Sequence, residues 1–351
     1  FALRHGIYLV MAIAAGILTY VLVPMALLEK LRHVALIAAV AVLVLVLFPG
    51  IGREVNGSQR WISVAGFTVQ PSEIAKMGFV IYLAGYIREW REPLQTSWSA
   101  FLKPLGLLGV LTFLLLLEPD FGAVMVLSLT AMGMLFMSGV PSKRYLLVLL
   151  TGAVLAALIA VAQPYRVMRL MSFLDPWADQ FGSGYQLTQS LIAFGRGHIW
   201  GVGLGNSVQK LFYLPEAHTD FVYAVLAEEF GLLGNLLLIS WFSLVCYRIF
   251  RLAIQLLEQG KIFTGQMTLG FGLIIAAQAF INMGVNMGVL PTKGLTLPLM
   301  SYGGSSIVVC CIAVALLLRV DFEQRRSSIQ AERRVGNPDV RNRKRERRVA
   351  E

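Results

Sequence analysis

The stretch GQMTLGFGLIIAAQAFINMGVNMGV (265–289) runs for 25 residues without one charged side chain. A helix needs about 20 mostly apolar residues to cross the hydrocarbon core of a bilayer, so the stretch is long enough to span a membrane. Within lipid only helices and closed barrels satisfy the backbone. The apolar residues do not alternate with period two as barrel strands do. The stretch therefore predicts a transmembrane helix.

The rest of the chain repeats this pattern. Of its 351 residues 57% are hydrophobic and only 14% are charged, whereas soluble domains carry roughly a quarter charged residues. The sequence predicts an all-α polytopic membrane protein, with a transmembrane domain over 1–320. Eight further segments bring the predicted transmembrane helices to nine: 5–26, 33–48, 72–88, 104–118, 122–139, 145–162, 220–247 and 303–320.

The distribution of Lys and Arg predicts the orientation in the membrane. Most of them fall in the loops and the tail that share a side with the C-terminus, and positive loops stay in the cytoplasm. Nine helices that end inside must begin outside, and the chain starts at Phe1 without a signal peptide. We therefore expect a parent with ten helices whose first helix is missing from this chain.

The basic tail, 321–351, is predicted to be cytoplasmic and disordered. It contains RNRKRERR (341–348), a run with too few apolar residues to form a core. Such a run is attracted to anionic membrane lipid, and it is too short and unstructured to indicate a nucleic-acid partner. The three cysteines all fall in or at the ends of predicted helices and indicate no disulfide framework.

Two predicted outer segments are long, 49–71 and 163–219. The second is rich in aromatic and aliphatic residues, so we expect a large ordered periplasmic loop rather than disorder. Within it, YQLTQSLIAF (185–194) is typical of an amphipathic helix in the membrane interface. Because polar, aromatic and basic residues gather on this side, chemistry is expected at the outer face.

Several charged residues lie in or beside the predicted helices. A charge at the bilayer centre costs about 2.5–3.5 kcal/mol on insertion scales, so each one calls for a reason. Glu73 and Lys76 share one helix face, where they either neutralise each other or line a cavity. Asp120, in EPDFG (118–122), either caps the next helix or contacts substrate.

A polar stripe marks the helix at 265–289. Gln278, Asn282 and Asn286 recur every four residues and so lie on one face. They form either interhelical hydrogen bonds or a cavity wall. The stripe leads into GVLPTKGLTLPLMSYGGSS (288–306), whose prolines and glycines break the helix, and broken backbone at membrane depth is tolerated where it lines a cavity. Lys293, within the break, suits an anionic ligand such as a phosphate.

Asp220 lies where LPEAHTDFVYAVLAEE (214–229) passes from a polar loop to an apolar run. One interpretation is a helix N-cap, made by Asp220 or by Thr219. The other is a catalytic carboxylate at the mouth of a membrane cavity, because a partly desolvated carboxylate can serve as a general base. The two roles do not exclude each other.

Five ordered segments of the sequence resemble the signatures of a known family. They are NGSQRWI (56–62), QPSEIAK (70–76), EPDFG (118–122), GSGYQ…AVLAEE (182–229) and QAFIN…YGGSS (278–306). They resemble the SEDS family (shape, elongation, division, sporulation). The string LPTKGLTLPLMSYGGSS (290–306) is similar to the division branch of that family.

The resemblance implies a peptidoglycan glycosyltransferase of the bacterial inner membrane. Its substrate would be lipid II, and its active site would face the periplasm at the division septum. The family's essential aspartate falls on Asp220 and its loop lysine on Lys293. The implied partners are a class B penicillin-binding protein and the divisome activator complex. Phe212 departs from the family, in which other members often carry an acid there.

The expected reaction is one inverting displacement, with Asp220 as the base toward the acceptor hydroxyl. Lys293 and Arg60, with Arg196 and Lys210 as weaker candidates, would hold the pyrophosphate. Glu73, Lys76, Asp120 and the stripe of Gln278, Asn282 and Asn286 would shape the substrate cavity. No cofactor is required by this scheme. A divalent cation, Mg²⁺ or Mn²⁺, stays open as a bridge between carboxylate and pyrophosphate.

Two other functions stay open at this point. A lipid II flippase would need polar residues deep in the membrane, and Glu228 and Glu229 lie about 12 Å into the predicted helix at 1.5 Å per residue. A non-catalytic scaffold for the septal transpeptidase is the other alternative.

Overall fold

The computed structural model describes residues 2–55, 58–64, 67–161, 168, 171–291 and 294–336, and this part of the chain is mostly helical. Five of its helices are long and apolar enough to cross a bilayer, which agrees with the predicted helical membrane fold. The α-helices are α1 (Ala2–Leu22), α2 (Met25–Lys30), α3 (Arg32–Val46), α4 (Pro71–Glu89), α5 (Arg91–Thr96), α6 (Trp98–Leu117), α7 (Phe121–Met137), α8 (Ser142–Val161), α9 (Tyr185–Gly197), α10 (Val222–Glu258), α11 (Ile262–Asn286) and α12 (Gly304–Gly336).

Each of the nine predicted segments overlaps a helix, but several bounds differ, and the segment 5–26 runs past the end of α1 at Leu22 into α2. Helix α6 begins at Trp98, before Pro104, which lies inside the helix although proline favours a helix start. Helix α10 continues to Glu258 instead of ending at 247. Helix α12 continues to Gly336, so the expected boundary at 321 is not a structural one. The basic run 341–348 lies outside the described residues.

The all-α prediction is wrong for the segment 49–71, which contains a small antiparallel sheet. Strands β1 (Gly52–Val55), β2 (Ser58–Val64) and β3 (Phe67–Val69) pair in the order β1-β2-β3. Val55 pairs with Ser58 across the sequence Asn56-Gly57. The dipeptide Asn-Gly between two short strands is a strong hairpin signal, although the segment 49–71 was predicted only as a long outer segment.

The buried centre of the molecule is the packing of α4 and α11. Helix α4 contacts α3, α7 and α11, while α11 also packs along α10. Small residues allow this close approach: Gly270 on α11 faces Val80 and Met134, and Gly78 on α4 faces the backbone of Ala35. Membrane helices commonly associate through small residues. Large apolar side chains on α1, α8 and α10 are exposed, as expected of surfaces that face lipid.

The helix predicted over 185–194 is present as α9, and its position in the membrane interface stays a prediction. It leads into a loop that packs on a break in α10. At this break Gly231 has φ 64° and ψ −160°. The amides of Val202 and Gly203 donate to the carbonyls of Glu228 and Glu229, at 3.0 and 3.1 Å. The loop thus supplies hydrogen bonds that the broken helix leaves unmade.

Candidate active site

The candidate site forms where the loop before α10 meets the end of α11 and the segment after it. Three consecutive carbonyls of this loop accept hydrogen bonds from those elements. His218 O accepts from the amide of Tyr302 at 2.8 Å, and Thr219 O accepts from Ser301 Oγ at 2.5 Å. Asp220 O accepts from two side-chain amides of α11. The backbone that carries Asp220 is therefore fixed at three successive residues.

The two amides at Asp220 come from the polar stripe. Asn282 Nδ2 and Asn286 Nδ2 lie 2.8 and 3.0 Å from Asp220 O. Asn282 Nδ2 also donates to Leu295 O at 2.5 Å. Both side chains are buried. Of the two interpretations of the stripe, these contacts match the first, hydrogen bonds between structural elements. A role toward substrate stays a prediction.

Helix α10 does not use Asp220 or Thr219 as a side-chain cap. Its N-cap residue is Phe221, which makes no side-chain cap hydrogen bond. Instead Asn286 Oδ1 accepts from the amide of Ala224 in the first turn, at 3.1 Å. Thr219 Oγ1 donates to Glu216 at 2.7 Å. The cap that the sequence assigned to Asp220 or Thr219 is thus made by a residue of another helix.

The Asp220 carboxyl lies against Gly294, the residue after Lys293. A Cβ on Gly294 would stand 2.9 Å from Asp220 Oδ2, so a side chain there would crowd the carboxyl group. Asp220 precedes the first residue of α10 and is partly buried. Desolvation by burial, and then Glu216, raise its pKa to about 7, although Arg60 lowers it. A carboxyl group with that pKa can gain or lose a proton near neutral pH.

A second acid, Asp120, lies close enough to contribute to that pKa. Asp120 Oδ1 accepts from the amide of Ala123 at 3.1 Å, which confirms the predicted cap of α7. Its Oδ2 accepts from Gln70 Nε2 at 3.2 Å. Arg60, on β2, donates from Nε and Nη2 to the carbonyls of Glu118 and Pro119 at 2.9 and 2.6 Å. The small sheet thus places a guanidinium group beside the acids.

Glu118 also lies in this region, and no role was predicted for it. Its side chain is fully buried, and among the described residues neither carboxyl oxygen has a hydrogen-bond partner. Desolvation by burial, with Asp120 as a further cause, raises its pKa to about 8. Glu118 is therefore mainly neutral at pH 7. Only its position beside Pro119 at a helix end could have indicated such burial.

The ion pair predicted within the membrane is present. Lys76 Nζ lies 2.8 Å from Glu73 Oε1, and both side chains are buried. Gln278 Nε2 donates to the same oxygen at 3.4 Å. These three residues border a cavity of about 20 Å³, which Cys310 also lines. About one water molecule fits in that volume. Glu73 and Lys76 therefore neutralise each other and also line a small cavity.

The remaining basic candidates pair with the acids of α10. Lys210 Nζ lies 2.7 Å from Glu229 Oε1, and Arg196 Nη1 lies 3.5 Å from Glu228 Oε1. Glu228 also accepts from Ser207 Oγ at 2.6 Å. Glu228 and Glu229, the deep polar residues that kept the flippase alternative open, therefore bond to α9 and to the loop after it. The structure does not bring Arg196 and Lys210 into hydrogen-bond contact with Asp220.

Two predicted elements of the site are not provided by the described residues. Lys293 lies outside them, and the next residue, Gly294, lies against the Asp220 carboxyl. No group of three or more His, Cys, Asp or Glu side chains within the described ranges could hold a metal ion. A divalent cation shared by a carboxylate and the pyrophosphate of the substrate stays a prediction, since Mg²⁺ is usually held by one or two carboxylates together with substrate phosphates.

The fold and the site together define a helical membrane protein with a partly buried carboxylate just before the start of a helix. The chain belongs to the cell cycle protein family of FtsW, RodA and SpoVE, whose family model matches residues 1–326. A probable peptidoglycan glycosyltransferase FtsW of Alcanivorax borkumensis is 61% identical, with 92% of this chain and 84% of that protein covered. A protein of the same name from Pseudomonas fluorescens is 51% identical, over 92% of this chain and 79% of that one.

Solved structures show the same fold. A chain from a peptidoglycan synthase complex that coordinates polymerization and crosslinking aligns with a TM-score of 0.77 at 29% identity. The alignment covers 91% of this chain and 89% of that one. The rod shape determining protein RodA of Thermus thermophilus aligns with a TM-score of 0.66 at 29% identity, over 90% and 86% of the two chains.

Proposed function

We propose that this protein is a peptidoglycan glycosyltransferase that polymerises lipid II at the division septum. Its family membership and the names of its relatives support the activity. The observation that carries the chemistry is Asp220. It is a partly buried carboxyl group with a pKa near 7, on a backbone that four hydrogen bonds to three successive carbonyls hold in place.

The reaction joins the 4-hydroxyl of a GlcNAc to the anomeric carbon of a MurNAc pyrophosphate. The oxygen of the acceptor forms the new glycosidic bond as the bond to undecaprenyl pyrophosphate breaks, with inversion at carbon. Asp220 accepts the hydroxyl proton, and the leaving pyrophosphate takes the electron pair of the broken bond. Pyrophosphate is a good leaving group, so one base and positive charge suffice, whereas hydrolytic inverting enzymes need an acid as well.

The positive charge is proposed to come from Lys293 and Arg60. Lys293 precedes Gly294, against which the Asp220 carboxyl packs. Arg60 lies near enough to lower the pKa of that carboxyl. Asp120, Gln278, Asn282 and Asn286 are proposed to support the walls of the site, with Glu73 and Lys76 deeper in the same region. Arg196 and Lys210 are less suited to hold pyrophosphate, because each is paired with an acid of α10.

The proposed setting is the bacterial inner membrane, with nine membrane-spanning helices in this chain and the loop 163–219 in the periplasm. A class B penicillin-binding protein is the proposed partner, since a solved relative belongs to a synthase complex that also crosslinks. The divisome activator complex is proposed as a further partner of the septal assembly.

The test is a polymerisation assay on purified protein with its transpeptidase partner, detergent-solubilised lipid II, and transpeptidation blocked. We expect glycan strands from the parent chain. Asp220→Asn should lower the rate by about 10²- to 10⁴-fold, the usual contribution of a general base. Asp179→Asn is the matched control, because Asp179 is an exposed acid in the same outer segment that bonds only Ser183 and nearby loop atoms.

The same assay separates a glycosyltransferase from both alternatives, the flippase and the scaffold. Detergent removes sidedness, so a flippase would give no product, and a scaffold would give none either. If the parent made no strands, the enzymatic proposal would be wrong. If Asp220→Asn polymerised lipid II at the parent rate, another residue would be the base.

A further inference from the structure

The amides of Asn282 and Asn286 meet the backbone of Asp220 rather than its carboxyl group. Both Nδ2 atoms donate to the same acceptor, Asp220 O, at 2.8 and 3.0 Å. Two side chains one helical turn apart thus converge on a single carbonyl. Both are buried, and a buried amide left without its acceptor loses free energy. The Asp220 carbonyl is therefore held strongly in one place.

Each asparagine also ties a second element to the same point. Asn282 Nδ2 donates to Leu295 O at 2.5 Å, so the segment that begins at Gly294 is fixed to the loop before α10. Asn286 Oδ1 accepts from Ala224 N at 3.1 Å and caps the first turn of α10. Ser190 Oγ on α9 donates to Asn286 O at 2.7 Å. Three elements thus converge on the position of Asp220.

The consequence concerns the Asp220 carboxyl group. An aspartate just before a helix ordinarily turns its carboxylate onto the first amides of that helix. Here Asn286 caps α10 from α11, and among the described residues no hydrogen bond to the Asp220 carboxyl is found. The carboxyl oxygen instead rests against Gly294. The cap from another helix leaves the acid available to substrate.

We propose that Asn282 and Asn286 are positioning residues for the glycosyl transfer: they fix the Asp220 backbone to α11 and to the segment after Lys293, and Asn286 replaces Asp220 as the cap of α10. This inference rests on the proposed function, because it assigns the asparagines a role in the reaction of Asp220. A displacement of about 1 Å at a reacting group can cost about a hundredfold in rate.

The test compares neutral and capping replacements in the full chain with its transpeptidase partner. Asn282→Leu removes the donor to Asp220 O and Leu295 O without adding charge. Asn286→Asp keeps an oxygen that accepts from Ala224 N but removes the donor to Asp220 O. Asn235→Asp is the matched control, since Asn235 is a buried asparagine on α10 that neither meets Asp220 nor lies in the site.

We expect both site variants to lower kcat by about ten- to a hundredfold, with KM for lipid II near the parent value. The melting temperature of Asn286→Asp in detergent should fall although the cap is retained, because a buried carboxylate then faces the carbonyls of Asp220 and Asn282. In Asn282→Leu the released Asp220 carboxyl should become better hydrated, so the pH midpoint of the rate should fall. A purely structural asparagine would change the melting temperature but neither the pH midpoint nor the ratio of kcat to KM effects.

The inference is wrong if the parent polymerises lipid II, Asp220→Asn does not, and both asparagine variants keep the parent kcat and pH midpoint. It is also wrong if Asn286→Asp keeps the full activity of the parent, because capping α10 would then be the whole role of Asn286. A parent without polymerase activity overturns the proposed function itself, and that outcome is distinct from both. Asn235→Asp should keep the parent kcat, KM and pH midpoint, and its melting temperature should fall because it too buries a carboxylate.

Discussion

At the scale of single residues, the proton affinity of Asp220 is set by burial and by opposing neighbours. Burial and Glu216 raise its pKa to about 7, and Arg60 acts in the opposite direction. A general base must be ionised, so the rate of glycan synthesis should rise with pH around a midpoint near 7. This midpoint is measured from initial rates of polymerisation across neutral pH.

The two neighbours should move that midpoint in opposite directions. Glu216→Gln removes a negative charge that raises the pKa of Asp220, so the midpoint should fall. Arg60→Gln removes a positive charge that lowers it, so the midpoint should rise. The two variants control for each other, because each removes one charge beside the same carboxyl group. Shifts in one direction for both, or a flat parent profile, would contradict the assignment of the titrating group.

Glu118 should make stability depend on pH. Its pKa is about 8 in the folded protein and close to the ordinary value of 4.5 when exposed. Between these values the unfolded chain has lost the proton and the folded protein has kept it, so stability falls as pH rises through the window. The slope is about 1.4 kcal/mol per pH unit for one group. The melting temperature in detergent should therefore fall with pH in the parent.

The matched variant is Glu118→Gln, which keeps the shape of the neutral side chain but cannot lose a proton. Its melting temperature should depend less on pH than that of the parent, and the two proteins should differ most at and above pH 8, where the folded parent has lost the proton as well. Equal slopes for parent and variant would show that the Glu118 carboxyl is not the group responsible.

At the scale of elements, the contact between the loop after α9 and the break in α10 depends on glycine. Gly201 has φ +80°, and a Cβ there would lie 2.1 Å from Glu229 O. Gly205 has φ +82° and nothing within 4 Å of a built Cβ. The two residues share a positive φ of nearly the same size, and an alanine at such a left-handed φ costs about 1–2 kcal/mol. They differ in the closeness of α10.

We therefore expect Gly201→Ala to lower the melting temperature clearly more than Gly205→Ala does. The difference isolates the packing of the loop on α10, since the backbone strain is common to both variants. Polymerase activity of Gly201→Ala should fall as well, because α10 begins beside Asp220. Equal effects of the two substitutions would mean that the loop can move away from α10 at little cost.

The elements themselves were largely predictable from sequence, and their partners were not. Apolar run length located the long helices because a bilayer demands that length. The cap at Asp120 followed from local spacing. Asn282 and Asn286, in contrast, meet Asp220 across more than sixty residues of chain, and a helical period gives the face of a side chain but not its partner. The sheet was not predicted, although Asn56-Gly57 between two short strands is a hairpin signal.

At the scale of the whole molecule, the site draws on distant parts of the chain. Arg60 on β2, Asp120 at α7, Asp220 before α10 and Asn282 on α11 come together only in the folded protein. The proposed chemistry also requires that this assembly face the periplasm, where the nascent glycan lies. The Lys and Arg distribution predicts that orientation, and the orientation can be tested independently of activity.

Single cysteines test it in a background that lacks Cys246, Cys310 and Cys311, which lie within α10 and α12. Trp200 follows α9 and is 79% exposed, whereas Gln259 ends α10 beside the basic residues of the predicted inner loop. In intact spheroplasts an impermeant maleimide should label Trp200→Cys but not Gln259→Cys, and after lysis it should label both. The reverse pattern would place Asp220 on the cytoplasmic side, away from the acceptor glycan, and a periplasmic polymerase would then be impossible whatever the pKa of its carboxyl group.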